Sequence, residues 1–126
     1  MNELTESTEN TDLTVVATSL DELIEAHPIV EGRVAPMRVL DAEGARIMHL
    51  TFDTGQELRE HTAPVPILLQ AIAGEFTIDA AARRVELAPG GILHLAAGVP
   101  HAVTATGPSR LLIVMLAAPK ADAAPQ

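Results

Sequence analysis

The chain contains no cysteine, no tryptophan and no tyrosine, and its 126 residues include only two phenylalanines, Phe52 and Phe76. Without cysteine there are no disulfides and no thiolate metal ligands, which suits a reducing compartment. With so few aromatic rings the chain offers no stacking platform for bases or sugars. Its core must be built from Leu, Ile, Val, Met and Ala. Positive charge is also scarce: eight Lys and Arg face seventeen Asp and Glu, for a net charge of −9. Neutralising phosphates needs a basic patch, so nucleic acid is excluded as a partner. Long hydrophobic runs are missing too. The longest, around Ala63–Ala73 and Leu111–Ala118, fall short of the ~20 residues that span a bilayer. The N-terminus has neither the basic nor the apolar stretch of a secretion signal. The chain therefore reads as cytoplasmic, with no membrane partner.

What is present is one domain's length with 48% hydrophobic residues, enough for a real core. Residues 1–12 carry Glu3, Glu6, Glu9 and Asp12 with no base and read as a disordered acidic tail. Residues 13–33 form an N-terminal strand and helix segment. Within it, Ser19 is an N-cap with Glu22 three residues on, opening a short helix that His27-Pro28 ends. His27 fits there as a cation at a helix C-terminus. Residues 118–126, small and proline-containing, read as a flexible C-terminal tail.

From about residue 34 to 117 the pattern is strands. Val34–Leu40, Ala45–Phe52, Ile67–Ile72, Glu75–Ile78, Arg83–Leu87, Ile92–Leu95, Ala102–Ala105 and Arg110–Leu116 are separated by turns rich in Gly, Pro and Asp. Short strands at roughly ten-residue spacing predict an all-β sandwich or barrel. Ile67–Ile72 and Leu111–Leu116 are apolar on both faces and must bury both. One face fills the barrel. The other asks for a second sheet, the N-terminal segment or a second copy, and with the apolar stretch Leu13–Ala17 also needing cover a homodimer is expected. Arg83-Arg84 reads as an edge-strand solubility device.

Two histidines sit in Gly/Pro-rich frames. One runs Gly55-Gln56-Glu57-Leu58-Arg59-Glu60-His61-Thr62-Ala63-Pro64 and is followed by an apolar run ending at Gly74. The other runs Pro89-Gly90-Gly91-Ile92-Leu93-His94-Leu95-Ala96-Ala97-Gly98-Val99-Pro100-His101. The spacing resembles the two motifs of the cupin superfamily, in its small RmlC-like members. Gly55, His61 and Gly74 match the first motif; Gly90, Gly98 and His101 match the second. The resemblance implies a double-stranded β-helix, a jelly-roll barrel, with a short N-terminal helix ahead of it. It also implies that His61 and His101 come from opposing strands and point at one centre in the barrel mouth.

In complete cupin sites three His and one Glu or Gln hold Zn, Fe, Mn or Ni, ions suited to nitrogen and carboxylate donors. Here Ala63 and Ile67 stand where a second His and the Glu would be, and Ala96 and Ala105 replace a Pro and an Asn. The metal set is thus reduced to His61 and His101, with His94 as the candidate third ligand. Strand parity turns His94 away from Leu93 and Leu95, and His49 away from Met48 and Leu50. For both, a surface or hydrogen-bonded role competes with ligation. Gln70 is a further weak donor candidate. Ala63, Ile67 and Leu69 would give the histidines an apolar wall suited to a small, partly apolar ligand.

Three functional readings follow. One is a cupin that binds a small molecule, with a divalent metal held weakly in the barrel. The second is a metal-dependent enzyme, dioxygenase- or isomerase-like, using His61, His101 and an unusual third ligand. The third is a structural dimer with a vestigial pocket. No nucleophile elbow, phosphate loop or dinucleotide fingerprint competes with them.

Overall fold

The computed structural model describes residues 12–116. The tails expected at 1–12 and 118–126 lie outside these residues, apart from Asp12. The single described helix, α1 (Leu20–Ala26), starts where the sequence predicts. The Ser19 hydroxyl accepts from the Glu22 amide at 3.1 Å. The Glu22 carboxylate in turn accepts from both the backbone N–H and the hydroxyl of Thr18, each at 2.7 Å. The cap thus closes on Thr18 rather than on Ser19 itself. Among the described residues no helix is long and apolar enough to cross a membrane.

Among the described residues nine strands follow: β1 (Val34–Ala42), β2 (Ala45–Phe52), β3 (Glu57–His61), β4 (Ile67–Ala73), β5 (Phe76–Ala80), β6 (Arg83–Leu87), β7 (Ile92–Leu95), β8 (His101–Ala105) and β9 (Ser109–Leu116). They form two antiparallel sheets. The first has the order β1-β2-β9-β4-β7 and the second β3-β8-β5-β6. Strand β3 has no counterpart in the sequence reading. Its residues alternate poorly, with Glu57, Arg59 and Glu60 exposed and only Leu58 turned to the core. Strand β6 ends its sheet, so exposed Arg83 and Arg84 lie on an open edge, as expected.

The two sheets face each other across one core. Leu50, Phe52, Ile67, Leu69, Ala71, Leu95 and Leu111 come from the first sheet, and Phe76, Ile78, Leu87, Val103 and Ala105 from the second. The two phenylalanines meet edge-on across the core, with ring centroids 5.1 Å apart. That offset geometry favours an aromatic pair beyond simple burial. Because successive residues alternate faces, the other apolar row of β4 and β9 lands outside the barrel. Leu68, Ile72, Leu112, Val114 and Leu116 are half-buried there.

Candidate functional site

His61 ends β3, and His101 begins β8. The two are register partners across the β3–β8 ladder, below a bulge between Leu58 and His61. His101 shares the inward row of β8 with buried Val103 and Ala105 and is 2% exposed, whereas His61 is open to solvent. Gly98, with φ of 81°, turns the chain into β8, and its N–H donates to the Ala63 carbonyl at 2.8 Å. That bond ties the segment after β3 to the turn before β8, so both histidines reach the same end of the barrel. Their ring centroids lie 4.3 Å apart with planes tilted by 57°.

Each ring is fixed by its own backbone. His61 Nδ1 lies 2.8 Å from the Arg59 carbonyl oxygen, and His101 Nδ1 lies 3.0 Å from that of Val99. A carbonyl only accepts, so in both neutral rings the proton is assigned to Nδ1 and the lone pair to Nε2. The Nε2 of His101 is buried and has no hydrogen-bond partner. Leaving a buried polar atom unsatisfied costs about 1–3 kcal/mol. The site therefore presents one buried and one accessible imidazole, both preset as acceptors at Nε2.

The other expected site residues divide. Ala63 is half-buried and packs against the core beside Val65 and Val99. Ile67 and Leu69 point inward but are 3% and 0% exposed, packed into the barrel interior rather than forming an open wall. His94 is not brought to the pair. Leu93 and Leu95 take the inward face of β7, which leaves His94 exposed on the outer face, opposite Leu68 of β4. Gln70 shares that outer face. The expected third metal ligand is thus removed by strand parity. Among the described residues no group of three or more His, Cys, Asp or Glu side chains is placed to hold a metal ion. Two imidazoles fall one donor short of the usual three-ligand catalytic metal site. A shallow groove of about 660 Å3 lies nearby, lined by Glu60, Asp79, Arg83, Arg84 and Pro100, but neither histidine lines it.

A second histidine pair escapes the sequence reading. His27 and His49 meet through their Nδ1 atoms at 3.1 Å, with the rings edge-on and centroids 5.0 Å apart. Both are buried, on the outer face of the first sheet. Arg110, 6% exposed on the neighbouring β9, donates from Nη1 to the His27 carbonyl at 2.7 Å. Burial, then the His27 ring and the Arg110 charge, hold the His49 pKa down at about 4. Burial and then Arg110 lower that of His27 as well. His27 does close the helix, its N–H donating to the Leu23 carbonyl. It is not, however, the solvated helix-end cation its position suggests. The partners come from residues 27, 49 and 110, and nothing local in the sequence joins them.

By sequence, neither a protein-family model nor a curated protein matches the chain. By structure, the chain is similar to a cupin superfamily protein from Desulfitobacterium hafniense, with a TM-score of 0.71, 22% identity and coverage of 76% of this chain and 88% of that one. It is similar to an RmlC-like cupin from Desulfovibrio desulfuricans at a TM-score of 0.71, 21% identity and coverage of 82% and 97%. A conserved protein of unknown function from Streptococcus pyogenes aligns at a TM-score of 0.72, 20% identity and coverage of 85% and 94%. The fold that the motifs imply is therefore the fold observed: a small cupin barrel.

Proposed function

We propose that the His61–His101 pair is the functional centre of the barrel and that it binds a small, partly apolar molecule carrying a hydrogen-bond donor. The observation that carries this reading is the anchoring of both rings at Nδ1, which leaves two Nε2 lone pairs at one end of the barrel. A ligand donor at the orphaned Nε2 of His101 would remove the cost of leaving that atom unsatisfied. Partly buried Ala63 and Val99, whose carbonyls accept from Gly98 and His101, supply apolar surface at this end. The apolar outer face of the first sheet supports a homodimer, and the lack of cysteine fits a cytoplasmic setting.

A second reading, a weakly held divalent ion (Zn, Fe, Mn or Ni), draws on the same anchoring. Metal-binding imidazoles commonly donate their other N–H to a backbone carbonyl. With two protein donors, such an ion would bind more weakly than in a complete site. The test is native mass spectrometry of untagged protein for a retained small molecule, followed by zinc titration with imidazole 15N NMR detection. A retained organic ligand, lost in His101→Ala, supports the first reading. Zinc-dependent shifts at the Nε2 atoms of His61 and His101 alone support the second. Ligand or zinc binding that survives His101→Ala overturns the assignment of the site.

A further inference from the structure

The N-terminal segment, residues 12–33, is held to the barrel in an unusual way. Of its large apolar residues, Leu13, Val15, Val16, Leu20, Ile24 and Val30 are more than a third exposed, Leu23 and Ile29 are half-buried, and α1 has no fully buried residue. The one buried residue between Asp12 and Arg33 is His27. Hydrophobic packing therefore holds the segment only partly, and polar contacts complete the anchor. His27 inserts beside His49 of β2, which is 0% exposed, and Arg110 of β9 holds the His27 carbonyl. Farther along, the Gly32 N–H donates to the Asp53 carboxylate at 2.6 Å.

We propose that residues 12–33 form a strap whose histidine latch opens on acidification, freeing the strap from the outer face of the first sheet while the barrel stays folded. The Nδ1···Nδ1 contact needs one ring to donate and the other to accept. A first proton places a second cation beside buried Arg110. A second proton leaves two donors face to face with no acceptor between them. No described ion pair supplies Arg110 with a carboxylate, and His49 Nε2 is buried without a partner. Among the described residues the added charge thus has no ion-pair partner.

The charged groups facing the latch are His27 from the strap, His49 from β2 and Arg110 from β9. Opposite His49 on β1 stands uncharged Met37. The other clamp works in a different pH range. Backbone N–H donation from Gly32 and then Thr54 keeps the Asp53 pKa below its ordinary value. Asp53 therefore stays ionised while the histidines titrate. His49 is held at about 4 when strapped; release removes the burial and the His27 ring but leaves Arg110 beside it, so the freed value approaches the ordinary ~6.5 from below. A base with a depressed pKa in the closed state favours that state fully above ~6.5 and loses the advantage as pH falls toward 4. His49 alone thus shifts the equilibrium toward release by at most about thirtyfold between pH 7.5 and pH 5.

Hydrogen exchange of the full chain, followed by mass spectrometry at pH 7.5 and pH 5 and corrected for intrinsic rates, tests this. The expected result is a protection loss of up to about thirtyfold confined to peptides from residues 12–33, with β4, β5 and β8 still protected. His49→Gln, which keeps a hydrogen-bonding partner for His27 without titrating near these pH values, should cut the response to a few-fold. His27→Ala, on the strap and outside the barrel core, should open the strap at both pH values and leave the barrel's protection intact. Equal strap protection at the two pH values, simultaneous loss of strap and barrel, or a full pH response in either variant would overturn the proposal.

Discussion

Gly74 offers the sharpest test of how this barrel is built. It links β4 of one sheet to β5 of the other, with φ of 76°. A Cβ added there would run into the Ser109 side chain and lie 2.6 Å from the Pro108 carbonyl oxygen. The obstacles are the first residue of β9 and the one before it, and Ser109 is fully buried. Gly98 is the natural comparison: its φ is 81°, yet a Cβ added there would meet nothing within 4 Å. For Gly98→Ala only the left-handed backbone counts, at about 1–2 kcal/mol. Gly74→Ala adds overpacking against backbone, typically about 1–3 kcal/mol more. The total of roughly 2–5 kcal/mol is a large share of the ~5–15 kcal/mol by which domains are stable. Urea denaturation of both variants, compared at equal m-values, measures the difference. If the two midpoints give destabilisations within about 0.5 kcal/mol of each other, the close approach of Gly74 to β9 is not what requires glycine there.

The β5–β6 hairpin turns through Ala81 and Ala82, with φ of 51° and 61°, a geometry that favours Asn-Gly. Ala82→Gly should therefore raise stability by about 1 kcal/mol in thermal melts, since the left-handed penalty outweighs the added chain entropy. Phe52→Ala removes one partner of the edge-on aromatic pair from a fully buried position. It should cost about 3–5 kcal/mol in denaturant unfolding, and a loss below about 1 kcal/mol would refute the core assignment.

Much of the barrel was legible because period-two alternation and Gly/Pro punctuation report directly on strands. Strands β2, β4, β7 and β9 are read from their apolar rows, and Gly55, Gly74 and Gly98 all take positive φ. Strand β3 was not legible, since three of its five residues, Glu57, Arg59 and Glu60, are exposed charges and its pairing is broken by a bulge. Parity set His94 opposite Leu93 and Leu95 but not which of the two faces of β7 is the interior, because that depends on β4 lying beside it. The pairing of His61 with His101 was legible through its two frames. The pairing of His27 with His49 was not, since it depends on where a helix from outside the barrel comes to rest.

The two histidine pairs on this one scaffold differ in how their nitrogens are used. In the barrel mouth each Nδ1 bonds to a carbonyl two residues earlier in its own strand or turn, so the rings are oriented independently of each other and both Nε2 atoms stay available. One ring is exposed, which gives a ligand a way in. On the outer face the rings bond to each other, are both buried, and lie beside an arginine that repels any cation. Local anchoring leaves an acceptor nitrogen on each ring, the feature on which the proposed binding role rests. Mutual anchoring produces a contact that holds only while both partners are neutral. The first arrangement suits binding and the second suits release, and both follow from whether a histidine finds its hydrogen-bond partner in its own backbone or in another element of the fold.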